Sequence, residues 1–131
     1  MYVYLSGPIS NLPEGEFKAR FKKAERLLKS QGYHQVLNPL DVQPDCFDTL
    51  RAPRGCNSGL MFDDGTYKHT WQCYMKADII AMMKCNAICA LPGWADSKGA
   101  TTELAIAEAL EYPRFYIVSG DFDSWSLVRP E

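Results

Sequence analysis

The sequence contains no long hydrophobic run. No segment approaches the ~18 apolar residues that a membrane-spanning helix requires, and the first ten residues, MYVYLSGPIS, lack the charged region and long apolar stretch of a secretion signal. The sequence also has no large excess of positive or negative charge. Its 14 Lys and Arg residues and 16 Asp and Glu residues give a net charge of −2. We therefore expect a cytoplasmic protein with no membrane partner and no polynucleotide partner, since nothing attracts a phosphate backbone.

Paired cysteines and phosphate-binding motifs are also missing. The five cysteines are odd in number and form no CxxC pair, which argues against a disulfide framework and a standard zinc ribbon. Neither GxGxxG nor GxxxxGKS/T occurs, so the usual signatures of dinucleotide redox chemistry and NTP hydrolysis are absent and no cofactor is expected. A metal site stays open as an alternative: His69 and Cys73 are four residues apart and Cys46 and Cys56 lie upstream, although these spacings match no common zinc pattern.

What the chain does have is the composition of one globular domain. Of its 131 residues, 47% are apolar and 23% are charged. Short apolar runs that end in turn residues predict four buried strands, near residues 1–5, 33–37, 87–91 and 115–118. Apolar residues at helical spacing predict three helices, over about residues 14–30, 70–85 and 101–111.

The order of these elements predicts an α/β fold. Strands that alternate with helices form a parallel sheet with helices packed on its faces. We expect a single domain over residues 1–131 with three layers, flavodoxin-like or Rossmann-like: a small parallel sheet of four to five strands with helices on both faces. Residues 41–69 show no sustained period and are expected to form a long inserted loop. The tail after residue 118 has no predicted element.

The carboxyl ends of the predicted strands are the expected ligand site. In open parallel sheets ligands bind in the crevice beyond those ends, which here brings together residues 6–10, 38–41, 92–99 and 119–121. These segments supply small hydroxyls, glycines that let backbone N–H groups approach a ligand, and an indole able to stack on a ring. That mixture suits a nucleoside or a sugar phosphate. The candidate binding residues are Ser6, Gly7, Pro8, Ile9, Asn38, Trp94, Asp96, Ser97 and Gly99.

Two carboxylates, Glu103 and Asp78, stand out on the predicted helices, and each also has a plainer explanation. A helix that starts at Thr101 has Glu103 in its first turn, where a negative charge simply favours the helix dipole. Asp78 follows Tyr74 and Met75 on a face predicted to pack in the core. A lone buried carboxylate is costly unless it is paired or protonated, whereas at the edge of that face Asp78 would reach solvent.

Four motifs resemble the nucleoside 2-deoxyribosyltransferase superfamily. They are residues 4–9 (YLSGPI), 71–79 (WQCYMKADI), 91–94 (LPGW) and 97–103 (SKGATTE). The chain is most similar to the small members found in bacteria and their phages, and it is also similar to the deoxynucleoside 5′-monophosphate N-hydrolases. The resemblance implies cleavage or transfer of the N-glycosidic bond of a 2′-deoxynucleoside or its 5′-monophosphate. It also implies a homo-oligomer in which a neighbouring subunit completes each site.

The resemblance further implies roles for three residues in the chemistry. Glu103 matches the family's nucleophilic glutamate, which forms a covalent ester with the deoxyribose. Asp78 matches the aspartate that protonates the departing base, and Tyr4 matches the tyrosine that positions the glutamate. A pair of carboxyl groups with these two roles is the logic of retaining glycosidases.

Substrate-binding roles are implied in the same way. Gly7 lies in the turn where the sugar is held, and Ser97 matches the serine that helps to bind the 5′-phosphate in the monophosphate hydrolases. The transferases usually have an aspartate at the position of Ser97, and the adjacent Asp96 can substitute for it. Ser126 matches a residue lent to the neighbouring subunit's site.

Two other functions fit the same residues. A non-catalytic nucleotide-binding module would use the crevice without a covalent intermediate. An N-glycosidase acting on NAD or another ribonucleotide would use the same carboxyl groups on a sugar that keeps its 2′-hydroxyl. Release of free base separates the first alternative from the main hypothesis, and a comparison of the two sugars separates the second.

Overall fold

The computed structural model of the chain describes residues 1–9, 12–42, 60–61, 67–68 and 71–130. The strands within these residues are β1 (Tyr2–Ser6), β2 (Gln35–Leu37), β3 (Leu60–Met61), β4 (Tyr67–Lys68), β5 (Ala87–Ala90), β6 (Arg114–Ser119) and β7 (Trp125–Val128). The helices are α1 (Glu14–Ser30), α2 (Trp71–Met83) and α3 (Lys98–Ala109). Each helix and strand that the sequence predicts is present, with ends that shift by up to three residues.

Five of the strands form one sheet in the order β2-β1-β5-β6-β7. The first four strands run parallel, whereas β7 pairs antiparallel with β6. The α/β fold is therefore confirmed, with a parallel sheet of the four predicted strands, and β7, for which no element was predicted, adds an antiparallel edge. The connection over residues 120–124 is too short for the crossover that a parallel neighbour requires, so the tail folds back as a hairpin.

Helices cover both faces of the sheet. Successive residues of a strand point to opposite faces, so Val3 and Leu5 of β1 pack with Phe21 of α1, while Tyr4 packs with α2 and α3. The three-layer arrangement is thus confirmed. β5 lies between β1 and β6 and is buried along its whole length, which explains why its sequence, AICA, is apolar without alternation.

The two central strands send the chain to opposite faces of the sheet. β1 continues into α1 on one face, and β5 continues into α3 on the other. Adjacent strands whose connections diverge in this way leave a crevice between their carboxyl ends. The strand ends approach closely here, because the Leu91 amide donates to the Ser6 carbonyl at 2.7 Å and a Cβ on Gly7 would lie 2.8 Å from the Leu91 Cβ. A side chain at position 7 would push the two loops apart.

The region predicted as a long loop contains structure of its own. β3 and β4 pair as a short antiparallel sheet within residues 41–69, and Asp41 ends a turn of 3-10 helix that follows β2. The other residues from 43 to 70, and with them the cysteines at 46 and 56 and the histidine at 69, lie outside the described residues.

Candidate active site

A cavity of about 680 Å³ lies at the carboxyl ends of β1 and β5, a volume typical of small-molecule sites. Its wall is built by the turns after β1 and β2, the first two turns of α1, one side of α2, and the segment that leads into α3. The candidate residues among its lining are Gly7, Pro8, Ile9, Asp78, Asp96, Ser97, Gly99 and Glu103. The crevice predicted from the strand order is therefore present as a cavity.

Glu103 lies at the buried end of this cavity and is only 5% exposed. The Tyr4 hydroxyl donates to Glu103 Oε2 at 2.5 Å, and the Ser6 hydroxyl donates to Oε1 at 2.8 Å. Tyr4 and Ser6 are alternate residues of β1, so their side chains leave the same face of the sheet and reach both carboxylate oxygens. Two charge-assisted hydrogen bonds hold the carboxylate in one orientation.

The prediction that Glu103 lies in the first turn of its helix is wrong. α3 begins at Lys98, because the Ser97 hydroxyl accepts from the Ala100 amide at 3.2 Å and caps the helix. Glu103 is therefore in the second turn, where its side chain faces the sheet rather than the exposed helix end. The helix dipole does not account for a carboxylate at this depth, since its effect falls off within the first turn.

The two carboxyl groups titrate well above their ordinary range. Burial raises the pKa of Glu103 from 4.5 to about 7, although the hydrogen bonds from Tyr4 and Ser6 favour the ionised form. Burial also raises the pKa of Asp78 from 3.8 to about 7, and the negative charge of Glu103 adds to the rise. Burial, followed by the charges of Glu103 and Asp78, raises the pKa of Tyr4 well above 10. Both carboxyls therefore change protonation near neutral pH, where the Tyr4 phenol stays neutral.

These shifts predict a pH-dependent stability. Both groups have a folded-state pKa above the unfolded value, so their contribution to stability is fully present below about pH 4 and is lost as the pH rises through about 7. Glu103→Gln removes the contribution of Glu103 itself and the part of the Asp78 shift that the charge of Glu103 causes. We expect this variant to raise the free energy of unfolding at pH 8 by on the order of 2 to 3 kcal/mol and to leave it almost unchanged at pH 4. Urea denaturation at both pH values measures the difference.

A matched control exists on the same helix. Glu108 is exposed and lies 3.8 Å from Arg114, so Glu108→Gln should leave the pH dependence as it is in the wild type. An unchanged pH profile in Glu103→Gln would contradict the assignment of the raised pKa to this carboxyl.

One side of α2 forms the wall opposite Glu103. Trp71, Tyr74, Met75 and Asp78 all line the cavity, and they recur at steps of three, one and three residues on a single side of the helix. Asp78 is half-buried on that side. The prediction that Tyr74 belongs to the core is wrong, since it is 48% exposed. Ten of the 13 residues of this helix are apolar and they surround it, so spacing alone does not define which side meets the sheet.

Lys98 at the start of α3 contacts Trp71 of α2, and the sequence did not predict this contact. The Lys98 ammonium lies 4.4 Å from the centre of the Trp71 ring. Gly99 approaches α2 closely, because a Cβ there would lie 3.3 Å from the Met75 sulfur. The spacing of Trp71 two helical turns before Asp78 is the signal that would have indicated its place in the cavity wall.

The first turns of α1 also contribute residues that the sequence analysis did not assign to the site. Glu14, Phe17 and Lys18 line the cavity, and the Lys18 ammonium lies 2.7 Å from the Glu14 carboxylate. In the sequence Phe17 resembles any other apolar residue of an amphipathic helix, and Lys18 resembles any solvated lysine. No local signal distinguishes them, because the neighbouring strand ends alone determine which helix turn faces the crevice.

Four candidate binding residues do not line this cavity: Ser6, which donates to Glu103 instead, and Asn38, Trp94 and Ser126. Asn38 is buried, and its side-chain oxygen accepts from the Leu40 amide to cap the turn after β2. Trp94 packs on Tyr116, with ring centroids 5.7 Å apart, against the core cluster that contains Tyr4. Ser126 is exposed on β7. The predictions for these positions rested on their order after strand ends, which does not specify side-chain direction.

No group of three or more His, Cys, Asp or Glu side chains suited to a metal ion occurs in the described part of the chain. Burial raises the pKa of the Cys85 thiol to about 11 and that of the Cys89 thiol to about 12, which leaves both as unreactive thiols. Among the described residues, no helix has the length and apolar character that crossing a membrane requires.

A comparison with protein-family models gives a match. A search of curated proteins and a search of solved structures each found nothing similar to the chain. The model of one protein family, described as a domain of unknown function (DUF4406), matches residues 1–116. The matched region includes Tyr4, Asp78 and Glu103 and ends before β7. The chain therefore belongs to the DUF4406 family.

Proposed function

We propose that this protein cleaves or transfers the N-glycosidic bond of a 2′-deoxynucleoside or its 5′-monophosphate, through a covalent ester between Glu103 and the sugar. The observation that carries the proposal is the buried Glu103 carboxylate, held by two hydroxyls at the end of a cavity and coupled to a second carboxyl, Asp78. Two carboxyls with separate tasks are the usual arrangement for breaking a glycosidic bond with retention.

Each carboxyl needs a different protonation state for the first step. Ionised Glu103 attacks C1′ of the sugar, the bond between C1′ and the base nitrogen breaks, and the electron pair leaves with the base. Protonated Asp78 gives its proton to that nitrogen. Both carboxyls have a pKa raised to about 7, but hydrogen bonds from Tyr4 and Ser6 favour the ionised form of Glu103, whereas no such donor to Asp78 occurs among the described residues. The proton of the pair therefore belongs on Asp78 during base departure.

The second step resolves the ester. Water or the nitrogen of an acceptor base attacks C1′, the bond from C1′ to the Glu103 oxygen breaks, and the Asp78 carboxylate accepts the proton of the incoming group. Hydrolysis and transfer differ only in this incoming group. The neutral Tyr4 hydroxyl keeps its hydrogen bond to Glu103 in both steps, because its pKa is raised well above 10.

The cavity lining combines two kinds of surface that suit a nucleotide. Ser97, Lys98 and Gly99 bring a hydroxyl, an ammonium and glycine backbone to the start of α3, an arrangement that favours a 5′-phosphate. Ile9, Phe17 and Leu40 form an apolar wall that favours a base. Ser126 is exposed on the edge strand β7, so its role in the proposal requires a second copy of the chain, as in the homo-oligomer that the resemblance implies.

A substrate panel tests the proposal. The chain is incubated with each deoxynucleoside and deoxynucleoside 5′-monophosphate, with and without an acceptor base, and free base is followed by chromatography. We expect release from at least one deoxy substrate and much slower release from the matching ribonucleotide and NAD. Binding without base release would support a nucleotide-binding module instead, and release only from ribonucleotides or NAD would support the other glycosidase. Either result would overturn the proposal.

A further inference from the structure

Arg20 of α1 reaches across to the turn that follows β5. Its Nη2 donates to the Pro92 carbonyl at 2.5 Å. It also lies close to Gly93, since a Cβ at that position would be 3.9 Å from Nη2 and 3.4 Å from the Pro8 Cγ. Gly93 has a φ of +89°, which only glycine adopts readily. Arg20 thus contacts a tight turn wedged between α1 and the turn after β1.

The turn after β5, residues 91–97, carries the cavity residues Asp96 and Ser97. Most of its backbone hydrogen bonds join residues close in sequence. The Trp94 amide donates to the Leu91 carbonyl, the Asp96 amide to the Gly93 carbonyl, and the Ser97 amide to the Trp94 carbonyl. Bonds between near neighbours fix the shape of a turn and not its position relative to the sheet. The bond from Arg20 comes from a residue 72 positions away in sequence, so it can fix that position.

Trp125 of β7 in turn restricts Arg20. The guanidinium carbon lies 5.4 Å from the centre of the indole ring, and the Lys23 ammonium lies 4.3 Å from the same ring. Lys23 also donates to the Asp123 carbonyl at 2.5 Å, in the turn before β7. The indole therefore contacts both cationic side chains, of which that of Arg20 also bonds to Pro92.

We propose that Arg20 is a positioning residue: it fixes the turn that delivers Asp96 and Ser97 to the cavity, and Trp125 of β7 keeps its guanidinium in place. β7 lies beyond the residues matched by the family model, so this contact gives a strand outside that region a part in organising the site. The kinetic consequence rests on the proposed function, whereas the structural consequence does not.

The role of Arg20 is separable from global stability. Its Nε is buried and has no hydrogen-bond partner among the described residues, and a buried donor without a partner is costly. Arg20→Met removes that cost together with the bond to Pro92 and keeps an apolar stem on α1. The two effects oppose each other, so the loss should fall on the turn rather than on the whole fold.

The test compares Arg20→Met and Arg20→Lys with Lys23→Met as a matched control. Lys23 contacts the same indole but not Pro92. Amide hydrogen exchange is measured by NMR for Trp94, Asp96 and Ser97 in the full chain. We expect Arg20→Met to accelerate their exchange about tenfold or more, Arg20→Lys to restore part of the protection, and Lys23→Met to change it less than about threefold.

Kinetics supply a second measurement. With a deoxynucleotide substrate, Arg20→Met should raise KM about tenfold and change kcat less than about threefold, because Asp96 and Ser97 line the binding cavity while Glu103 is held independently by Tyr4 and Ser6. Unchanged exchange in Arg20→Met, equal acceleration in Lys23→Met, or acceleration spread evenly over β1 and α1 would overturn the inference. If the wild-type chain releases no base, the proposed function fails and the exchange data still decide the role of Arg20.

Discussion

Glu103→Gln is expected to lower base release from deoxynucleotides about a thousandfold or more, because an amide cannot form the ester at C1′. Gln keeps the size of the side chain and can still accept from the Tyr4 or Ser6 hydroxyl, so the loss should not come from unfolding. Glu103→Ala should be equally inactive and less stable, since it leaves both buried hydroxyls without their acceptor. Initial rates of base release measure both effects.

The exposed Glu108 on the same helix provides the control, and Glu108→Gln should keep the full rate. Mass spectrometry of quenched wild-type reactions should show the chain with one added deoxyribosyl group, and the added mass should be missing in Glu103→Gln. Near-normal activity of Glu103→Gln or Glu103→Ala would refute the mechanism.

Asp78→Asn should slow base release by a factor on the order of 10² to 10⁴, the usual contribution of a positioned general acid. The size of the loss should depend on the leaving base. A base that leaves readily without protonation needs no acid, so its release should be almost as fast as in the wild type, whereas poor leaving groups should show the full loss. Rates for a series of substrates that differ only in the basicity of the departing nitrogen measure this dependence.

Asp96→Asn distinguishes the acid from a second cavity carboxylate. Asp96 lines the same cavity from the turn before α3, so its replacement should change KM by a similar factor for every base in the series. A uniform loss in Asp78→Asn, independent of the leaving group, would show that Asp78 does not deliver the proton.

The sequence predicts a helix or strand well when one side of the element is buried, as in α1, or when the whole element is buried, as in β5. The apolar spacing predicts α1 over residues 14–30, and the helix runs from Glu14 to Ser30. β5 is apolar along its length because both faces are covered. β7 was not predicted, since Trp125 to Val128 alternates half-buried and exposed residues with a serine among them. An edge strand of this kind carries little pattern beyond its pairing partner.

The sequence likewise predicts some features of the candidate site and misses others. The position of Glu103 and Asp78 near one crevice follows from strand order, because both predicted helices flank the sheet next to β5. The bond from Ser6 to Glu103 was not predicted, since it depends on how α3 lies across β1. Trp94 and Asn38 were predicted to bind a ligand because each follows a strand end, but both side chains pack into the protein. Side-chain direction at a strand end depends on turn geometry that composition does not encode.

The hydrogen bonds of Glu103 also bear on folding. Tyr4 and Ser6 precede their acceptor by 99 and 97 residues, so the site depends on contacts of very high sequence separation. Such contacts form late, because a long loop must close before they contribute. During synthesis at about 5–20 residues per second, β1 emerges several seconds before α3 exists. A partly made chain therefore has no organised carboxylate pair, and its two β1 hydroxyls must remain hydrated until α3 docks.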